Sequence, residues 1–475
     1  MLTHLRSVQE ISKLRLALIL LTCVSGCAHH SPPEIDFSLP PILKIQKHTL
    51  VPTIKRQPVV WFKGLHGDLR AMDFFRSNPD SFAYSSSGVR MFRGNPAHTF
   101  YGTGVISRQA PAVLWRFRTG QSFSKTLETP WEGLGWTGQP AVSVEQEGTF
   151  VYIASLDGHL YKLDFYTGRE VLKSKQNFNI IKSSPSVTDR YVLFGSWDNA
   201  VHILDKTTFE VLHREEAIYT PSASYDFDSS PAVDGESFFI GGEDGYVRKV
   251  SLEPPFARHW VFPESTPRSD FVYEETGKPY VGIESSVAIA GDRVIVGSGR
   301  GKIFILDKKH GELLAQFETG DDTDRSPVVD YADSSFYIGV EQDFVEKPGG
   351  LYKLSFDGDS LWFFETGRKG IFSTPALNEK RVIITGDDRY LYSLDKKTGA
   401  LQWKTRLRDG SWSSPILIAD RIVTADYAGY LYGIDAKDGS ILWQLKLGNY
   451  IVSSPILWQG TILVGTRDGF VYALK

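Results

Sequence analysis

The sequence predicts an all-β fold: an eight-bladed β-propeller of four-stranded antiparallel blades, its ring closed by an N-terminal strand. Three observations carry that expectation. A three-residue motif recurs eight times, a fixed order of strands and turns fills the intervals, and an unmatched strand precedes the first copy. The motif ends in proline in Gly138-Gln139-Pro140, Ser183-Ser184-Pro185, Ser229-Ser230-Pro231, Arg325-Ser326-Pro327, Ser373-Thr374-Pro375, Ser413-Ser414-Pro415 and Ser453-Ser454-Pro455, and Ser285-Ser286-Val287 is the eighth copy. Their third residues are 45, 46, 56, 40, 48, 40 and 40 positions apart. A period near 40 with strand-like content is the mark of a propeller.

Each interval follows one order. A short apolar strand such as Pro231-Ala232-Val233 comes first, then a second such as Val294-Ile295-Val296-Gly297. Asp-Gly turns follow at Asp157-Gly158, Asp244-Gly245 and Asp468-Gly469, where glycine supplies the positive φ a tight hairpin needs. A third strand alternates, as in Leu391-Tyr392-Ser393-Leu394-Asp395. Thr-Gly or Asp-Gly then turns the chain into a fourth strand that often carries tryptophan, as at Trp362, Trp403 and Trp443. Such large rings are expected between adjacent blades. The eighth copy stops after three strands at Lys475, and a lone fourth strand lies at 114–120, so the simplest inference is that this strand completes the last blade and protects its edge.

Composition agrees. Gly (43), Pro (24), Tyr (21) and Phe (29) are plentiful and Met (3) is scarce, a turn-rich and helix-poor balance. Lys+Arg (52) and Asp+Glu (56) nearly cancel, which argues against a nucleic-acid partner, because phosphate neutralisation requires a basic excess. Cys23 and Cys27 are the two cysteines, so no disulfide framework or thiolate zinc site can lie downstream.

Those cysteines belong to an N-terminal signal. Lys13 and Arg15 precede an apolar run from Leu16 to Val24, too short to span a bilayer, followed by Ser25-Gly26-Cys27. Val24-Ser25-Gly26-Cys27 resembles the lipobox of bacterial lipoproteins. That resemblance implies removal of residues 1–26 and lipidation of Cys27, with several acyl chains making a firm membrane anchor. Ala28 in place of Asp then implies outer-membrane sorting with the protein facing the periplasm. Residues 27–90 read as a Pro-rich tether with a possible short helix around Leu65, Leu69 and Met72, and residues 91–475 as the propeller.

The repeats resemble the PQQ-like propeller repeats of quinoprotein dehydrogenases and their non-enzymatic relatives, and Met91-Phe92-Arg93-Gly94-Asn95-Pro96 resembles the usual start of that repeat. With the lipobox and eight copies, the chain resembles the BamB family of outer-membrane β-barrel assembly lipoproteins. That resemblance implies a scaffold that is not an enzyme, binds the barrel-forming subunit, assists unfolded barrel proteins and needs no cofactor. The alternative is a periplasmic PQQ-dependent quinoprotein dehydrogenase. Enzymes of that kind resemble this fold but carry adjacent cysteines at the cofactor and a calcium site of Glu, Asn and Asp, and no cysteine pair remains after maturation. His-Glu-x-x-His and Gly-x-Ser-x-Gly patterns are missing from the sequence, so no catalytic or metal residues are assigned.

Partner-binding candidates fall on loops before the motifs. Asp226 and Asp228 precede Ser229, and Asp322 and Asp324 precede Arg325. In the family this chain resembles, an Asp-x-Asp before such a motif contributes to the barrel-subunit contact, which matches Asp322 and Asp324. As turn carboxylates, all four are otherwise expected to be solvated. The longest interruption of the repeat, from Pro254 to Gly282, adds Arg268, Phe271 and Tyr273, whose aromatic and charged character suits protein recognition.

The anchor makes a direct prediction. Cys27→Ala should remove the lipid mass from the mature protein and take it out of the outer-membrane fraction. Unchanged fractionation with an unchanged lipid mass would refute the assignment.

Overall fold

Each copy of the motif starts one sheet. The computed structural model describes residues 87–475 except 123–129, 136–137, 221–223, 268, 270–278, 345–346 and 368. The signal segment, Cys27, the tether with its expected helix, and Arg268, Phe271 and Tyr273 lie outside the described residues. Eight antiparallel sheets follow in chain order, numbered here as blades 1 to 8 after their motifs, and no helix occurs among the described residues. Blade 4 shows the pattern: Ala288–Ala290, Arg293–Ser298, Lys302–Asp307 and Leu313–Glu318 run from the innermost to the outermost strand. The inner three are almost wholly buried, while the outermost alternates between exposed and half-buried residues, so the core lies between blades rather than in one central mass. In blade 8 the outermost strand is Val113–Arg118, which pairs antiparallel with Phe470–Leu474 and sets Trp115 opposite Ala473.

The recurrent residues are explained by what they do between blades. The outer-strand tryptophan lies over the Thr-Gly or equivalent turn of the next blade. Trp115 Nε1 donates to Phe165 O at 2.8 Å, Trp260 Nε1 to Lys308 O at 3.2 Å, and Trp403 Nε1 to Ala436 O at 3.1 Å. The indole faces the turn glycine so closely that a Cβ on Gly168 would sit 2.6 Å from Trp115, and its φ of 68° independently favours glycine.

The motif residues divide the work. In most blades the hydroxyl of the first residue closes the loop onto the second strand of its own blade. Ser183 Oγ donates to Gly195 O at 2.8 Å and accepts from Gly195 N at 2.9 Å, and Ser453 does the same with Gly465. The second residue links blades: its N–H donates to the hydroxyl of the next copy, as Gln139 to Ser184 (3.0 Å), Ser184 to Ser230 (2.9 Å), Ser230 to Ser286 (2.9 Å), Ser286 to Ser326 (3.0 Å), Thr374 to Ser414 (2.9 Å) and Ser414 to Ser454 (3.1 Å). Ser454 N then donates to Gly138 O at 3.3 Å, so the eighth motif meets the first. A small hydroxyl residue at this position serves as donor-acceptor link and fits where the sheets crowd together.

A segment that the sequence reading divided between the tether, ending at residue 90, and the start of the repeat at Met91 runs along the inner edges of the blades. Gly88–Val89 adds a strand to the inner edge of blade 1. Beyond it, carbonyls accept from inner-strand N–H groups: Arg90 from Val187, Pro96 from Ile289, Ala97 from Val329, and Tyr101 from Leu457. Tyr101 Oη accepts from Leu377 N at 2.8 Å. The donors are all the second residue after the motif, in blades 2, 4, 5, 8 and 6. Arg93, fully buried, donates from its two terminal nitrogens to Pro415 O and Pro375 O, each at 2.7 Å, and stacks 4.3 Å over Tyr101. His98, held neutral with its pKa pushed down to about 4 by burial, directs Nδ1 to Pro327 O at 2.7 Å. An extended lead-in thereby satisfies groups on sheet after sheet.

The outer edges are handled differently. Each fourth strand carries a β-bulge near its start; the extra residue is the exposed Leu114, Leu212, Leu314 or Leu361 in four blades and Val171, His259, Gln402 or Leu442 in the others. A bulge bends the free edge and interrupts further pairing.

Arg93→Met removes the donors to two buried carbonyls. At about 1–3 kcal/mol per orphaned group, the folded state should lose roughly 2–5 kcal/mol, read as a lower midpoint in denaturant with little change in slope. A parental midpoint would show that the lead-in does not hold the ring.

Candidate functional site

On blades 2 to 8 the residue immediately before the motif points to one mouth of the ring. In chain order these residues are Lys182, Asp228, Glu284, Asp324, Phe372, Trp412 and Val452 on blades 2 to 8. The hairpins between second and third strands add Trp197, Glu243, Glu341, Tyr427 and Arg467. Together they make a belt of contacts around the mouth. Arg467 lies 4.4 Å over Trp131, which packs on Trp197 at 5.4 Å, and Lys182 Nζ sits 4.3 Å from the Trp197 ring. Lys182 pairs with Asp228, which also accepts from Trp197 Nε1 at 2.9 Å. Asp228, Glu243 and Glu284 each place a carboxylate oxygen within 4.8 Å of the others. Tyr280 Oη lies 3.2 Å from a carboxylate oxygen of Glu284 and 3.2 Å from one of Asp324, so its one proton is shared between them. Arg325 binds Glu341 at 2.6 Å and Phe372 O at 2.9 Å, and lies over the Phe372 ring. Phe372 stacks on Trp412 (5.4 Å, 15°), Trp412 meets Tyr427 edge-on (5.6 Å, 87°), and Tyr427 stacks on Tyr450 (4.9 Å, 15°). Arg467 N returns the circuit to Tyr450 O at 2.9 Å.

The mouth therefore has an acidic sector on blades 3 to 5 and an aromatic sector on blades 6 to 8. The four expected aspartates lie in the acidic sector, but not as solvated turn carboxylates. Asp226, Asp228, Asp322 and Asp324 are 8%, 0%, 1% and 5% exposed. Their loops turn inward because the motif serine behind them is tied to the ladder, which carries the preceding side chains toward the axis.

Burial in like-charged company sets their protonation. Asp226 is pushed up to about 7, first by burial and then by Asp228. Asp228 is raised by burial, with Lys182 opposing and Glu284 adding. Asp322 is raised well above the carboxylate range by burial and by Asp324, Glu341 and Asp343. Lys182 moves upward as well: burial pulls it down, but Asp228, Glu284 and Glu243 outweigh that. Three carboxyls face one ammonium, so Lys182 stays charged and the carboxyls share protons.

Sequence reading missed Lys182, Glu243, Glu284, Glu341 and the aromatic sector. The signal was present in the register, one residue before each motif, but becomes visible only when the eight copies are aligned on their serines.

Below the belt, Phe92 of the lead-in closes the axis. Phe92, Asp324, Arg325, Phe372 and Trp412 surround a cavity of about 10 Å³, the room of about one water. A larger cavity, about 280 Å³ and mainly apolar, lies between Val105, Pro111, Trp443 and Ile462.

Lys182→Met should expose how the acidic sector is balanced. Breaking a buried pair by removing one partner costs roughly 3–5 kcal/mol, so the melting temperature at pH 7.5 should fall. Part of the loss should return near pH 5, where Asp228 and its neighbours take up protons. An unchanged melt at both pH values would show that Lys182 is not their counter-ion.

Comparison with known proteins fits this geometry. No curated protein matches the chain in sequence. Among solved structures, BamB from Moraxella catarrhalis superposes with a TM-score of 0.57 at 15% identity, over 77% of this chain and 99% of that one. A europium-containing methanol dehydrogenase superposes with a TM-score of 0.61 at 14% identity, over 81% and 90%. The quinohemoprotein alcohol dehydrogenase from Comamonas testosteroni gives 0.63 at 14% identity, over 85% and 82%. These likenesses establish the fold and do not divide scaffold from enzyme. The family model for outer membrane protein assembly factor BamB matches residues 103–254 and 347–475, more than half of the sequence, and the chain belongs to that family.

Proposed function

We propose that the chain is a non-enzymatic periplasmic lipoprotein that assists outer-membrane β-barrel assembly by binding the barrel-forming subunit at the mouth of its ring. The observation that carries this reading is the belt of the chain's own charged and aromatic groups, paired and stacked on one another around the mouth. Lys182 occupies the charge role that a cation would take among Asp228, Glu243 and Glu284, and Phe92 with Arg325 leaves space for about one water. A protein built this way acts through its surface. Membership of the BamB family supports the assembly reading, and the resemblance of Val24-Ser25-Gly26-Cys27 to a lipobox supports an outer-membrane anchor.

The dehydrogenase alternative requires a quinone and calcium. The residues fit that pair poorly. The cavity among Phe92, Asp324, Arg325, Phe372 and Trp412 is far smaller than a fused-ring quinone, the carboxylate cluster already contains an ammonium, and the cysteines are Cys23 and Cys27.

The docking candidates remain the blade 3 and blade 5 loops, with Asp322 and Asp324 shaping the loop from within rather than meeting a partner from solvent. Affinity purification of the lipidated protein from outer membranes should recover the barrel-forming subunit. Asp322→Asn with Asp324→Asn keeps the buried shape while removing both ionisable groups, and should lower that recovery several-fold. The same pair of changes at Asp226 and Asp228 should lower it less. Parental recovery with Asp322 and Asp324 both replaced would move the docking site elsewhere, and quinone-dependent dehydrogenase activity in the purified protein would overturn the scaffold reading.

A further inference from the structure

We infer that the ring mouth is a proton-sensitive face, in which Asp226–Asp228 on blade 3 and Asp322–Asp324 on blade 5 keep their loops closed while each pair holds a proton and loosen them when the proton is lost. The consequence for a partner rests on the docking reading above; the loop switch itself does not.

Both pairs occupy the third and first positions before their motif, so two blades of the ring carry the same device on either side of blade 4. Both loops are held by bonds that lead to the carboxyl pairs. Asp226 O accepts from Glu243 N at 2.9 Å, and Asp226 Oδ2 accepts from Ser224 Oγ at 3.0 Å. Asp322 O accepts from Glu341 N at 3.0 Å, and Asp322 N donates to Asp321 Oδ1 at 2.8 Å. Asp321 in turn accepts from the N–H groups of Asp343 and Phe344 at 3.1 and 2.9 Å, fastening the loop to the blade 5 hairpin.

The charge around these pairs cannot all be ionised in a dry site. Lys182, Glu243 and Glu284 face the blade 3 pair. Asp324 lies beside Arg325 and Tyr280, and Asp322 faces Glu341 and Asp343. The cations among these are Lys182, committed to Asp228, and Arg325, committed to Glu341 and Phe372 O. Asp322 Oδ1, fully enclosed, has no hydrogen-bond partner, which a neutral carboxyl tolerates far better than an anion. Full ionisation would leave buried carboxylates facing one another, and the cheapest relief is to open the loop to water.

The direction follows from linkage. Asp226 titrates near 7 in the closed loop and near the ordinary 3.8 when solvated. The closed state therefore binds the proton more tightly, and its advantage is complete below the solvated pKa. That advantage is lost as pH rises from about 4 to about 7, at up to about tenfold in the opening equilibrium per pH unit for one group, and levels off above that.

Amide hydrogen exchange on the full-length mature protein tests this without a partner. After correction for intrinsic exchange rates, the opening constants of segments 224–230 and 320–326 should rise at least about tenfold between pH 5.5 and pH 7.5. The corresponding loops on blades 6 and 7, which end in Phe372 and Trp412, should change little. Asp226→Asn with Asp322→Asn should abolish the rise. Should the double variant fail to fold, Asp226→Asn alone should abolish it on blade 3 and leave blade 5 responsive. A parent without pH dependence, or variants with parental pH dependence, would overturn the inference. Exchange that behaves as expected while the barrel-forming subunit is not recovered would leave the switch standing and remove the docking reading.

Discussion

Eight sheets converge on one axis, and each brings an inner strand with no neighbour on its axial side. Those edges carry backbone N–H and C=O groups that a dry interior cannot leave unpaired. The lead-in answers this for most of the ring. It adds a strand to blade 1, offers carbonyls to Val187, Ile289, Val329 and Leu457, and presents Arg93 to Pro375 O and Pro415 O. The serine ladder does the same work between neighbouring blades. With both in place the loops before the motifs have a fixed inward direction, and the chemistry of the mouth follows from which side chain happens to stand one residue ahead of each motif.

That placement produces an uneven ring. On blades 6 to 8 the inward positions are mainly aromatic and stack on one another, which needs no counter-charge. On blades 3 to 5 they are carboxyls, balanced in part by Lys182 and Arg325. The aromatic half is held by packing that is indifferent to pH. The acidic half depends on proton occupancy. A ring with one firm and one adjustable sector offers a different surface from a ring of eight equal blades, although both have the same backbone.

Much of this fold was legible in the sequence because propeller geometry is written in spacing. The eight motifs located the blades, the tryptophan and glycine positions marked the joints between them, and the lone strand at 114–120 lies where Val113–Arg118 pairs with the last strands. The role of Met91 to Tyr101 was not legible, since its partners are backbone groups of distant blades and leave no side-chain pattern to read. The burial of Asp226, Asp228, Asp322 and Asp324 was missed for a related reason. An aspartate in a turn reads the same whether the turn faces solvent or the axis, and the buried partner of Asp228, Lys182, stands one blade away in the sequence.

The scaffold reading proposed above requires a mouth that takes up no small-molecule cofactor. Trp197, bonded to Asp228, and Trp412, in the aromatic sector, report on the space between them. The decisive measurement is a titration of the mature protein with a pyrroloquinoline quinone and calcium, followed by tryptophan fluorescence. A scaffold should show no saturable quenching beyond that of free tryptophan. Saturable, calcium-dependent quenching, abolished by a change at Asp228 or Glu284, would overturn the scaffold reading.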